Sequence, residues 1–182
     1  WLFPYLPLTA GENEYHMVLQ KLYRVAFLNN HPQVGLLGTW CRFVEQGRRL
    51  AYNYITPTSN EAIKKAMHGR NVFIHPAVMF RTAFVKAGER YPYGYPHAED
   101  YAFFWRLLQL AEGAVLPQVL VTCAITRSGL SYGNRRAQLQ SRRKVVKTFG
   151  RKGWINTYGL IKLNLLMLMP NSVLLRLKGL KN

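Results

Sequence analysis

Apolar positions recur along this chain with two periods, and the alternation between them predicts its elements. Val18, Leu22, Val25 and Leu28 stand at helical spacing and predict a helix over residues 14–29, which the His31-Pro32-Gln33 segment ends. VGLLGTW (34–40) reads as a short buried strand, and residues 41–55 alternate around Glu45-Gln46-Gly47 as a hairpin whose turn uses the glycine. A short helix follows over 59–68, with Ser59 or Asn60 as its N-cap and Gly69 as its stop. The run NVFIHPAVMFR (71–81) is strand-like but contains Pro76. Proline has no N–H for a ladder, so the strand lies at an edge or begins after it. A further short helix is expected over 82–87, closed by Gly88, and then the aromatic Pro- and Gly-rich loop ERYPYGYPHA (89–98). Residues 99–112 carry the strongest helical pattern, 115–125 read as a buried strand, and RSGLSYGN (127–134) as a loop. Residues 135–149 form a basic helix, and 153–181 predict two apolar helices broken at Met169-Pro170. Helices and strands alternate throughout, which makes the class α/β.

Charge changes the picture. The 182 residues include 25 Lys and Arg against 8 Asp and Glu, a formal net charge of +17. Such an excess calls for an anionic partner: nucleic acid, phospholipid or a phosphorylated small molecule. It is unevenly spread, because Glu112 is the last acidic residue and the stretch after it carries 13 Lys and Arg. Asp100 is the single aspartate. Cys41 and Cys123 are far apart in sequence and each sits among apolar residues. Two cysteines with no paired Cys/His spacing do not make a zinc site, and they read as buried free thiols in a reducing compartment. The start at Trp1, with two prolines in the first seven residues and no basic leader, looks like the cut edge of something longer. No stretch reaches the ~18 apolar residues of a membrane span.

Candidate chemistry gathers where the loop 89–98 meets the helix 99–112. From Asp100, Phe103, Phe104, Leu107, Leu108 and Ala111 fall on one face, all apolar. The carboxylate thus stands at the N-terminal end of the buried stripe. Burial raises a carboxyl pKa, and a helix N-terminus favours its charged form. A carboxylate in that position is suited to take a proton from a bound hydroxyl. The plainer reading is that Glu99 and Asp100 only complement the helix dipole.

The segment NVFIHPAVMFRTAFVKAGERYPYGYPHAEDYAFFWRLLQLAEGAVLPQVL (71–120) resembles the C-terminal part of the catalytic domain of family-2 glycosyltransferases, inverting enzymes of GT-A fold. FLNNHPQVGLLGTW (27–40) resembles the segment that follows their nucleotide-binding half. In that family a His-Pro-x-Val-Met-x-Arg strand leads through a Gly-Tyr loop to a Glu-Asp pair opening an aromatic helix. Here these are His75 to Arg81, Gly88 onward, and Glu99-Asp100-Tyr101. The resemblance spans roughly 25–131 and implies that Asp100 is the catalytic base. It further implies a nucleotide-sugar donor, a glycan or lipid-linked acceptor, and a divalent metal (Mn or Mg) in the complete enzyme. The family's Asp-x-Asp metal motif and nucleotide contacts lie before the matched region, and a chain with one aspartate contains no Asp-x-Asp. Ala124, Ile125 and Thr126 stand where members often have an Arg-x-His whose histidine helps bind metal; the adjacent Arg127 is the candidate phosphate contact. The Gln-x-x-Arg-Trp motif of processive members is missing. The expectation is therefore an acceptor-side half, inactive alone and with no metal ligands of its own, whose nucleotide-binding half lies in a longer chain, in a partner chain or has been lost.

The remaining residues divide between sharper and plainer roles. Glu99 and His97 are candidate acceptor contacts beside Asp100, and Tyr93 and Tyr95, with Tyr91, either stack on a sugar ring or pack the loop down. His75 reads as a structural hydrogen-bonder. The basic run from Arg135 to Lys152 is a solvated helix face, a nucleic-acid stripe or a membrane surface. Trp154, Tyr158, Ile161, Leu165 and Leu168 recur behind it at helical spacing, so anionic membrane is favoured over nucleic acid, although the same stripe also suits intramolecular core. The organisation expected is an atypical N-terminal segment (1–24), the acceptor-side half of a GT-A domain with a mixed sheet flanked by helices (25–133), and a basic amphipathic helical extension (134–182). The location expected is cytoplasmic, peripheral on the inner face of the membrane. The alternative function is a basic peripheral membrane or nucleic-acid-binding module without catalysis.

Overall fold

A computed structural model describes residues 10–45, 51–85, 91–125 and 134–169. Its centre is β1 (Val34–Glu45), the strand on which three others are built. β4 (Glu112–Ile125) runs parallel to β1 along its whole length, from Val34↔Glu112 to Glu45↔Ile125. A strand has two edges, so the antiparallel partners share the other one. β3 (Met79–Phe80) pairs with Leu36 and Leu37, and β2 (Ala51–Tyr54) pairs with Cys41 to Val44. The result is a four-stranded mixed sheet in an α/β protein.

The β1–β2 pairing agrees with the hairpin read from alternation; its turn lies outside the described residues. Pro76 sits in a 3-10 turn (His75–Ala77) and β3 begins just after it, because only the residues past the proline can donate to a ladder. The stretch 115–125, expected as buried, is part of a longer strand that is half exposed. Among the described residues β4 pairs with β1 alone, so it is an edge strand. Thr39 pairs with Leu116 but Trp40 with Val119, which bulges out the exposed Pro117 and Gln118.

Alternation along β1 assigns its two faces. Leu37 packs with Leu28, Val34 and Leu116 beneath α1 (Ala10–Asn30), whereas Leu36 joins Val115 and Phe73 beneath the other helices. Of the predicted α1 stripe only Leu28 is buried; Val18, Leu22 and Val25 are exposed, since this small cluster receives the helix through Phe27 and Leu28 near its end. Arg81 latches that end, donating from Nε to Val34 O at 3.0 Å and from Nη2 to Leu28 O. Cations suit the free carbonyls of a helix C-terminus. The expected boundary between residues 24 and 25 falls inside α1, which is continuous across it.

The opposite face carries α2 (Asn60–Met67), α3 (Glu99–Leu110), α4 (Arg135–Phe149) and α5 (Trp154–Leu168). Leu139, Val145 and Val146 of α4 and Leu163 of α5 are buried in the same core as Phe104 and Leu108 of α3, so residues 134–169 share the core of the preceding segment. The helix predicted over 82–87 is a 3-10 turn at Thr82–Phe84 as far as the described residues go; Gly88 lies outside them. So does the second apolar helix expected after Pro170. No helix among the described residues is long and apolar enough to cross a membrane.

Two cysteines distant in sequence meet in this sheet. Cys41 on β1 pairs with Val121, and Cys123 with Phe43, so the thiols are diagonal neighbours and hydrogen-bonded. Both are free. The bond to Cys123 and then burial push the Cys41 thiol up, and accepting that bond lowers Cys123.

Candidate active site

Asp100 is the second residue of α3, whose first turn is acidic and whose apolar face, from Tyr101 to Leu108, is buried. The helix thus carries its one aspartate to the rim of the core. Asp100 is half-buried: Oδ1 accepts the Tyr101 N–H at 2.7 Å and Oδ2 accepts Asn71 Nδ2–H at 3.2 Å. Burial raises its pKa above the ordinary value. The Tyr101 N–H, Arg142 and His75 pull the other way, and the Glu99 charge adds a small push upward.

Asn71 is the hub of this arrangement. It is buried, its Oδ1 accepts the Phe73 N–H at 3.3 Å, and its backbone carbonyl accepts the Tyr54 hydroxyl at 2.6 Å. Tyr54 reaches it from the end of β2, with the Arg70 guanidinium 5.3 Å over its ring. Burial raises the Tyr54 hydroxyl, opposed by Arg70 and Arg142. On the exposed side, His75 Nε2 and the Tyr91 hydroxyl share a hydrogen bond of 2.6 Å. Burial and then the Asp100 charge raise the Tyr91 hydroxyl. A carboxylate, an imidazole, a phenol and guanidinium groups therefore converge from α3, the 3-10 turn that contains Pro76, the aromatic loop, α4 and the end of α2. Chemically, such a group offers a base beside positive charge.

The residues expected around Asp100 occupy different places. Glu99 is exposed and its Oε1 accepts the His97 N–H at 3.1 Å, holding the loop, with His97 in the left-handed region at φ 63°. Gln138 Nε2 donates to the His97 carbonyl at 3.2 Å. Tyr95 is buried, its ring 5.9 Å from Phe149 and 5.1 Å from Lys144 Nζ, so its faces are taken up by packing. Tyr93 is exposed. Arg127 lies outside the described residues.

Sequence reasoning passed over Asn71, Tyr54 and Arg142 as site residues. A short amide directly before an apolar run is the one local signal for Asn71. Nothing local marks Arg142 among the cations of its helix. The basic run itself divides: Arg135 caps the end of α5 through Leu166 O and Met169 O (2.8 Å to the latter), and Lys144 donates to Gly94 O at 3.0 Å. Lys147, Arg151 and Lys152 are exposed.

No group of three or more His, Cys, Asp or Glu side chains among the described residues is arranged to hold a metal ion. Asp100 and Glu99 therefore lack the further ligand a metal needs, and these residues do not fit one. No family model and no curated protein sequence matches this chain.

Proposed function

We propose that this chain is the acceptor-side part of an inverting glycosyltransferase of GT-A fold, in which Asp100 is the general base. The observation that carries the reading is the half-buried Asp100 carboxylate opening α3, held by two N–H donors and bordered by Arg142 and the His75–Tyr91 pair. The mixed sheet with a parallel β1–β4 pair is in keeping with the fold that the residues 71–120 resemble.

In this reading an acceptor hydroxyl enters beside Asp100 and attacks the anomeric carbon of a nucleotide sugar from the face opposite the diphosphate. Asp100 takes the hydroxyl proton as the new C–O bond forms, and the electron pair of the breaking bond leaves with the diphosphate. Arg142 and His75 favour the ionised form that a base needs, against the burial that disfavours it. The rate therefore rises with pH through the ionisation of Asp100, with its acid limb above the ordinary carboxylate range. Tyr91, exposed beside His75, is a ring on which an incoming sugar could stack. The donor's nucleotide contacts and the divalent metal expected of the family are assigned to sequence other than these 182 residues, and no step here runs through them.

The test is a transfer assay with a panel of nucleotide sugars and glycan or lipid-linked acceptors, on this chain and on longer chains carrying sequence upstream of Trp1. In a chain that turns over, Asp100→Asn lowers the rate by about 10²–10⁴-fold with donor binding unchanged, the share general-base catalysis supplies. The 182-residue chain binds acceptor without transferring sugar. A loss below tenfold moves the base elsewhere, and turnover by the isolated chain overturns the division into halves.

A further inference from the structure

A helix with apolar residues on two opposite faces normally has both covered. α5 is such a helix, its two apolar faces separated by Thr157 and Asn164 on one side and Lys162 on the other, and among the described residues only one of them is covered. Asn156, Gly159 and Leu163 are buried against the body of the protein, with Gly159 so close to the end of α2 that a Cβ there would lie 2.2 Å from His68 O. On the opposite face Trp154 is 73% exposed, Tyr158 63%, Ile161 52%, Leu165 57% and Leu168 81%. These positions at i, i+4, i+7, i+11 and i+14 form one continuous stripe along the helix. Scattered exposed apolar residues are ordinary, but a stripe of five with two aromatics is not.

The surroundings of the stripe are cationic. Lys65 Nζ lies 5.8 Å from the Trp154 ring, and the exposed Arg151 and Lys152 directly precede the helix. No Asp or Glu occurs anywhere after Glu112. We infer that this face of α5 docks on an anionic lipid bilayer, lying in the plane of the interface rather than crossing it. Trp154 and Tyr158 suit the headgroup level, Ile161, Leu165 and Leu168 the acyl boundary, and the three cations the phosphates of the headgroups. Charge complementarity selects this occupant. A second copy would bring one +17 chain against another, and duplex DNA would satisfy the cations while leaving the apolar stripe in water. The inference is independent of any catalytic role for Asp100.

The two parts of the surface respond differently to salt. Attraction of the cations is screened over roughly 8 Å at physiological ionic strength, whereas burial of the stripe is not screened. The experiment is flotation of the full chain with vesicles of phosphatidylcholine and phosphatidylglycerol, at low and at 1 M salt, against pure phosphatidylcholine vesicles. The expected result is binding to the anionic vesicles that weakens with salt yet leaves a resistant fraction. Arg151→Gln with Lys152→Gln lowers low-salt partitioning by roughly thirtyfold, since each basic residue near the surface is worth about fivefold. Ile161→Ser with Leu165→Ser removes the resistant fraction. Both side chains are exposed, so the fold survives, which an unchanged thermal melt verifies. Absence of flotation, or flotation indifferent to Ile161→Ser with Leu165→Ser, overturns the inference. So does self-association that the same pair abolishes in sedimentation, or salt-resistant DNA binding that it abolishes.

Discussion

The contact between Asn71 and Asp100 makes a quantitative prediction that needs no substrate. In Asn71→Asp the new side chain keeps an oxygen for the Phe73 N–H but sets a second carboxyl where an amide donor stood, 3.2 Å from Asp100 Oδ2. Well below the ordinary Asp pKa of about 3.9 both carboxyls are protonated in the folded and unfolded chains, and the introduced carboxyl, while protonated, donates to Asp100 as the amide did, so the variant loses little there. As pH rises the unfolded chain ionises both, while the folded pair retains one proton, because two charges about 4 Å apart repel by about 4 kcal/mol at an effective dielectric of 20. A folded pKa raised above its unfolded value gives stability that is complete at low pH and lost as pH climbs toward the folded pKa. The slope is about 1.4 kcal/mol per pH unit, so the full penalty of about 4 kcal/mol accumulates between about pH 4 and 7. Wild-type Asp100 is itself raised by burial and slopes the same way, so the quantity to read is the difference between the two proteins. Urea unfolding followed by tryptophan fluorescence at each pH from 4 to 8 measures it. A difference that stays flat across that range, or shrinks as pH rises, refutes the pairing of Asn71 with Asp100.

Other outcomes follow from the same contacts. Gly159→Ala sets a Cβ against the backbone oxygen of His68, so helix or backbone must shift; this costs about 1–3 kcal/mol and lowers the melting temperature by about 2–4 °C for each; an unchanged melt refutes the close approach of α5 to α2. Tyr101→Phe removes the buried hydroxyl that donates to Met67 O and costs about 1 kcal/mol or more in urea unfolding. Iodoacetamide alkylates Cys123 before Cys41, whose thiol is fully buried and raised, and mass spectrometry of the native chain finds Cys41 modified only after unfolding.

Local periodicity and turn chemistry made much of the architecture legible in the residues alone. The basic helix has the bounds its pattern predicts, Arg135–Phe149, ending at Gly150. Pro76 announced where β3 begins, and the apolar face of α3 placed Asp100 at the rim of the core on its pattern alone. Such features depend on neighbours a few residues away. The tertiary structure alone decided which distant groups meet. It brought Asn71, Tyr54 and Arg142 to Asp100, joined Cys41 to Cys123 across the sheet, and packed Tyr95 inward while leaving Tyr93 in solvent. It also settled the stripe from Trp154 to Leu168, which in sequence suits either core or an outer surface. A periodic apolar face records that a helix has a greasy side. Which sides find partners depends on how the helix lies on the rest of the molecule, and α5 lies on its Asn156–Gly159–Leu163 face because only there can a glycine admit the backbone of His68.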